Sequence, residues 1–134
     1  MRAVGKARRA WEQHVRGIAL SSGIPESYRS VIMYLYWHPG AGQRSIAEFA
    51  GITTSAVNQT VKSMLQEGYL CKETDETDKR NSKLYLTEKG TETAAKLHER
   101  LGVSDDAITE LIGAEKEAEL IALLEKVAAH IRGI

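Results

Sequence analysis

Residues 72–90 read KETDETDKRNSKLYLTEKG, and the fold turns on how this stretch is taken. Its first half is charged and polar throughout. Then come Leu84, Tyr85 and Leu86, followed by Thr87-Glu88-Lys89-Gly90. Upstream lies another short apolar run, Tyr69-Leu70-Cys71. Two runs rich in Tyr and Leu, joined by a polar segment that carries Thr, Asp and Asn, predict a β-hairpin with a long polar tip. Thr87 is an N-cap residue, and Glu88 falls in the first turn where the helix dipole favours an acid, so the hairpin should lead straight into a helix.

Before the hairpin, Gly68 closes a segment that Thr53 can cap at its start. Within it Val57, Val61, Met64 and Leu65 recur at i, i+4, i+7 and i+8, which predicts a helix to about Glu67 with one buried stripe. The opposite face carries Thr54, Ser55, Asn58, Gln59 and Lys62. Amides can bond adenine edges in pairs, hydroxyls can reach bases or phosphates, and a lysine reaches phosphate or guanine. A polar solvated face is the alternative reading of the same residues. A shorter helix precedes, with Ile46, Ala47, Phe49 and Ala50 expected inward. It starts either at Ser45, which has capping-box spacing to Glu48, or near Gly42. Gly51-Ile52 leaves room only for a tight turn, so the two helices form a helix-turn-helix.

A hairpin attached directly to a helix-turn-helix is a wing. Its tip would present Lys79 and Arg80 beside the second helix, where a duplex backbone would lie, and an arginine on a slender hairpin suits the narrow minor groove. Asp78 is short enough to bond the tip's own backbone or to pair with Arg80.

The remainder is helical. Val4, Ala7, Trp11, Val15 and Ile18 predict an amphipathic helix over residues 2–20. A second helix, from about Pro25 to Trp37, has Tyr28, Val31, Ile32 and Leu35 on one face and Met33, Tyr34 and Trp37 on others, so it is expected between two layers. From Thr87, the spacing of Ala94, Leu97, Leu101, Ile108 and Leu111 predicts a long helix ended by Gly113. A last helix, about Ala114 to Ile131, carries Leu120, Leu123, Leu124, Val127 and Ile131 on one face. So small a winged module offers these terminal stripes little cover, which predicts a symmetric homodimer; an intramolecular three-helix layer is the alternative.

Composition sets the bounds. The chain has 134 residues with 18 Lys+Arg and 18 Asp+Glu. Residues 1–90 hold 13 bases and 9 acids, and residues 91–134 hold 5 and 9, so the two parts carry +4 and −4. A basic part of this kind suits a polyanionic partner. The single cysteine excludes an intrachain disulfide framework, and Cys71, on a short strand, is expected to be a small buried residue. The four histidines, 14, 38, 98 and 130, are dispersed, so no metal site is expected. No nucleophile motif or phosphate loop occurs; no catalytic residue and no cofactor is expected, and an enzyme is set aside. A wing used only for protein contacts would call for an acidic or apolar outer face on the second helix, and this face is neither. Without a membrane-length apolar run or a signal-peptide core, a cytoplasmic protein with no membrane partner is the default expectation.

Across essentially its whole length the chain resembles the MarR family of dimeric winged-helix regulators. The likeness rests on Asp78-Lys79-Arg80-Asn81, similar to the family's Asp-x-Arg-Asp/Ser wing motif, on Leu86-Thr87-Glu88-Lys89-Gly90, and on QRSIAEFAGITTSAVNQTVKSMLQEGYL at residues 43–70. It departs at Lys79, where the family commonly has Arg, at Cys71 and Lys72-Glu73, where basic residues are common, and at Asn81. The resemblance implies a mainly α fold with a hairpin wing in a single domain, residues 1–134. Within it, 25–90 would be the winged helix-turn-helix, 91–103 a connecting part of the long helix, and 1–24 with 104–134 the dimerisation helices. It implies a repressor that binds a pseudo-palindromic site on double-stranded DNA. Thr54, Ser55, Asn58, Gln59 and Lys62 would face the major groove and Arg80 the minor groove, with Asp78, Lys79 and Lys83 completing the wing's contacts. It also implies release by a small aromatic or anionic effector, for which Trp11, His14, Arg16, Tyr34, Trp37 and His38 would form the pocket.

Overall fold

A computed structural model describes residues 1–74, 76–77 and 82–134. Its elements run α1 (Arg2–Ser21), α2 (Glu26–Trp37), α3 (Gln43–Ala50), α4 (Thr54–Gln66), β1 (Leu70–Thr74), β2 (Ser82–Leu86), α5 (Glu88–Ile112) and α6 (Ala114–Arg132). The mainly α fold with one hairpin is the expected one. The chain divides into two compact units, Met1–Glu99 and Arg100–Ile134.

In the first unit α2 is the central element. Tyr28, Val31, Ile32, Met33 and Leu35 are all buried, and α2 packs against α1, α3, α4 and β2. A helix touched on several sides needs apolar residues on several sides, which is the pattern its sequence carries. Pro25 stands one residue earlier than expected, as the extended N-cap of α2 rather than its first residue. Around α2 the core is completed by Ile46, Val57, Val61, Met64, Leu84, Ala94 and Leu97, all nearly inaccessible.

The helix-turn-helix follows local rules. Gly42 is the N-cap of α3, so the start near Gly42 is the one adopted and Ser45 does not cap. Gly51 takes the left-handed conformation, φ 67°, that ends α3 and allows the short turn. The Thr53 side chain accepts the Ala56 N–H at 3.1 Å and starts α4. Phe49 does not point inward as expected. It is 58% exposed and its ring lies 5.0 Å from that of Tyr34. The short helix needs only Ile46 and Ala47 to seat it, and Ala50 is half-buried.

The strands pair antiparallel with Leu70 opposite Leu86, Cys71 opposite Tyr85, Lys72 opposite Leu84 and Glu73 opposite Lys83. Alternation along the strand corrects the expectation for Cys71: Leu70 is buried, so its neighbour points to the other face, and Cys71 is exposed. The α2–α3 turn fastens onto the outer edge of β2, with Gly40 N donating to Leu84 O at 2.8 Å and Leu84 N to Ala41 O at 3.1 Å. Gly40 has φ 84° and lies against the Tyr85 ring, so a side chain there would meet both strain and a clash.

At the start of α5, the Thr87 hydroxyl oxygen accepts the Gly90 N–H at 3.2 Å, and the same hydroxyl donates to Gly68 O. A Cβ on Gly90 would lie 2.2 Å from Tyr69 O, so only glycine lets the first turn of α5 approach the backbone that leads into β1. Ala94 and Leu97 are buried, whereas Ile108 and Leu111 are exposed. No residue of α6 is buried; Leu120, Ile121, Leu123, Leu124 and Ile131 are between 42% and 55% exposed.

Candidate nucleic-acid interface

The sequence of α4 separates two faces and the structure keeps them apart. Val57, Val61 and Met64 are buried, and Leu65 is half-buried. Thr54, Ser55, Asn58, Gln59 and Lys62 are all exposed. These five carry two amides, two hydroxyls and one ammonium and no carboxylate, a donor-rich surface on a helix held by its opposite stripe. Such a surface can satisfy acceptors on base edges and phosphates without any rearrangement of the core.

The wing's two strands place Lys83 on the exposed face, opposite Glu73. Asp78, Lys79, Arg80 and Asn81 at the tip lie outside the described residues, as does Asp75.

Behind α4 sits a set of contacts that no local spacing announces. The Lys89 ammonium donates to Glu67 O at 2.8 Å, at the C-terminal end of α4, and lies 4.2 Å from the centre of the Tyr69 ring. Thr87 N donates to Tyr69 O at 3.0 Å. The Tyr28 ring meets Tyr69 edge-on at 5.7 Å. Burial raises the Tyr28 phenol above its usual pKa, and a hydrogen bond to the Glu67 carboxylate raises it further. Thus α2, α4, β1 and α5 meet around Glu67, Gly68 and Tyr69.

The expected effector residues fall into separate ring contacts. Trp11 and His14 pair on α1 at 5.8 Å. Tyr34 lies 4.5 Å from His38 and also meets Phe49. Trp37, 60% exposed, meets Tyr36 at 5.2 Å and His98 at 5.3 Å. Arg16 is exposed on α1. Phe49, Tyr36 and His98 were not among the expected effector residues, because ring contacts between helices far apart in the chain leave no periodic signal. Among the described residues no group of three or more His, Cys, Asp or Glu is placed to hold a metal ion, and no helix is long and apolar enough to cross a membrane.

Comparison with known proteins places this geometry. The sequence model of the MarR family matches residues 22–81, from the end of α1 to the wing tip. The HTH-type transcriptional regulator BilQ of Clostridium symbiosum is 30% identical over 104 residues, which cover 78% of this chain and 72% of that protein. Two solved structures share the fold over 94% of this chain and 89% of theirs, each at 24% identity: NadR in complex with 4-hydroxyphenylacetate, with a TM-score of 0.82, and the transcriptional repressor CouR bound to a 23-mer DNA duplex, with a TM-score of 0.81. The helix-turn-helix with its wing, the family match across it and the kinship with BilQ establish that this chain belongs to the MarR family of DNA-binding transcriptional regulators.

Proposed function

We propose that the chain acts as a homodimeric repressor that reads a pseudo-palindromic operator with one α4 per half-site and is released by a small aromatic or anionic effector. The observation that carries the reading is the exposed, carboxylate-free face of α4, seated on a buried apolar stripe. Asn58 and Gln59 select bases, Thr54 and Ser55 fix the helix on the backbone, and Lys62 reaches phosphate. Asp78, Lys79, Arg80 and Lys83 extend the footprint through the wing, with Arg80 in the minor groove. Two half-sites read by a symmetric dimer would be centred about one helical turn apart, roughly 34–36 Å.

The division into residues 25–90 for DNA binding, 91–103 as a connector and 1–24 with 104–134 for dimerisation belongs to the same proposal. In support of it, α6 buries none of its own residues and leaves a run of leucines and isoleucines in water, a surface that a second copy would cover. The effector reading draws on Trp11, His14, Arg16, Tyr34, Trp37 and His38, aromatic walls with a cation; NadR, of the same fold, is seen in complex with 4-hydroxyphenylacetate. An effector that favours one spacing of the two α4 helices over another changes DNA affinity by its difference in affinity for the two states.

The test is a binding titration on duplexes from the protein's own upstream region. Asn58→Ala or Gln59→Ala should cost about 1–3 kcal/mol and relax base preference at one position, whereas Arg80→Ala should weaken binding to all sequences. Equal losses on every sequence from all three variants would contradict these roles.

A further inference from the structure

The Thr87-Glu88-Lys89-Gly90 stretch, which ends the sequence that decides the fold, has no part in the DNA contacts proposed above. Lysine and threonine beside a wing would ordinarily be assigned to phosphate. We infer instead that Lys89, with Thr87, is a positioning residue that fixes the C-terminal end of the DNA-facing helix to the start of α5. The inference rests on the reading of α4 as the DNA-contacting helix.

Four observations carry it. First, the Lys89 ammonium, although exposed, is engaged by the protein itself: it donates to Glu67 O at 2.8 Å and stands 4.2 Å from the centre of the Tyr69 ring. The carbonyls at the end of a helix lack intrahelical partners and carry the negative end of its dipole, so a cation there both pairs an orphan acceptor and complements the dipole. Second, the Thr87 hydroxyl donates to Gly68 O, the next carbonyl along, while its oxygen accepts the Gly90 N–H. One side chain therefore caps the start of α5 and holds the end of α4. Third, Gly90 makes the approach possible, since a Cβ there would lie 2.2 Å from Tyr69 O. Fourth, the Tyr28 ring of α2 meets the Tyr69 ring edge-on at 5.7 Å. The segment that ends α4, Glu67–Tyr69, is thus tied to α5 and α2 by side-chain contacts that leave the outward face of α4 untouched. Loss of the tie would let α4 sample other tilts, and contacts to base edges are sensitive to tilt in a way that core packing is not.

The discriminating readout is the salt dependence of DNA binding. A phosphate contact contributes about 0.9 to the slope of log K against log salt, and a positioning residue contributes nothing. Lys89→Met keeps the hydrocarbon stem over Tyr69 and removes the donor. It should weaken operator binding about tenfold, the scale of one charge-assisted hydrogen bond, at an unchanged salt slope. Lys89→Arg, which retains cation and donor, should recover most of the loss, and Thr87→Val should mimic Lys89→Met. Affinities are compared per folded molecule, with the folded fraction set by circular dichroism. The inference is overturned if Lys89→Met binds as tightly as the parent, or if the slope falls by about 0.9, which would make Lys89 a phosphate ligand. Lys62→Ala and Asn58→Ala run alongside: if neither of these changes affinity or slope, the reading of α4 itself fails.

Discussion

The first unit and the α6 helix carry apolar stripes of similar quality, yet only one of them is buried. Every buried hydrophobic side chain among the described residues lies before Arg100. In α4, Val57 is 0% exposed; in α6, Leu123, at a comparable stripe position, is 54% exposed. Periodicity reports that a helix face wants cover. It does not report whether the cover comes from the same chain. The α1 helix shows both outcomes within one element, since Val15 and Ala19 are buried while Val4 and Trp11 remain 40% and 39% exposed. The proposed homodimer would account for the difference: the helix-turn-helix is completed within the protomer, and a second copy would complete the terminal helices.

That contrast can be broken by substitution. Ile32→Ala, at a fully buried position in α2, should cost about 2–5 kcal/mol in denaturant unfolding, because a cavity remains in a closed core. The loss should show equally at every protein concentration. Leu120→Ala with Leu124→Ala in α6 should act differently: little change within the protomer, but a dimer dissociation constant raised about tenfold or more, from the apolar area each leucine hides on association. Sedimentation across a dilution series separates the two effects, and a concentration-independent loss for the α6 pair would remove the distinction. The smallest effect belongs to the helix-turn-helix itself. Thr53→Ala should cost about 1 kcal/mol through loss of the bond to the Ala56 N–H, measured as a shift of the denaturation midpoint. A destabilisation near that of Ile32→Ala would mean that Thr53 is part of the core rather than a cap.

Much of the architecture was legible in the sequence because its signals are local. Thr53 caps where its spacing indicates, Gly51 and Gly113 take positive φ at helix boundaries, and α5 begins immediately after Thr87. The faces of α4 could be read from residue spacing alone, as far as which residues are buried and which exposed. The misreadings have a shared cause: each assigned burial from one local cue. Helical spacing turns Phe49 inward, but α3 is too short to bury a whole face, and the ring rests against Tyr34 at the surface. Residue type makes Cys71 a buried residue, but strand alternation set by Leu70 turns it outward. Long-range contacts were invisible for a different reason. Nothing in the spacing of Lys89 and Glu67, or of His98 and Trp37, marks them as neighbours, because the intervening hairpin or helices bring them together.

The most direct test of the account is the mass of the complex formed with a duplex from the protein's upstream region, measured by sedimentation at moderate salt. The account predicts two chains on one duplex, preferred over random DNA of equal length and weakened steeply by added salt. A single chain per duplex, or equal binding to random DNA, would contradict it.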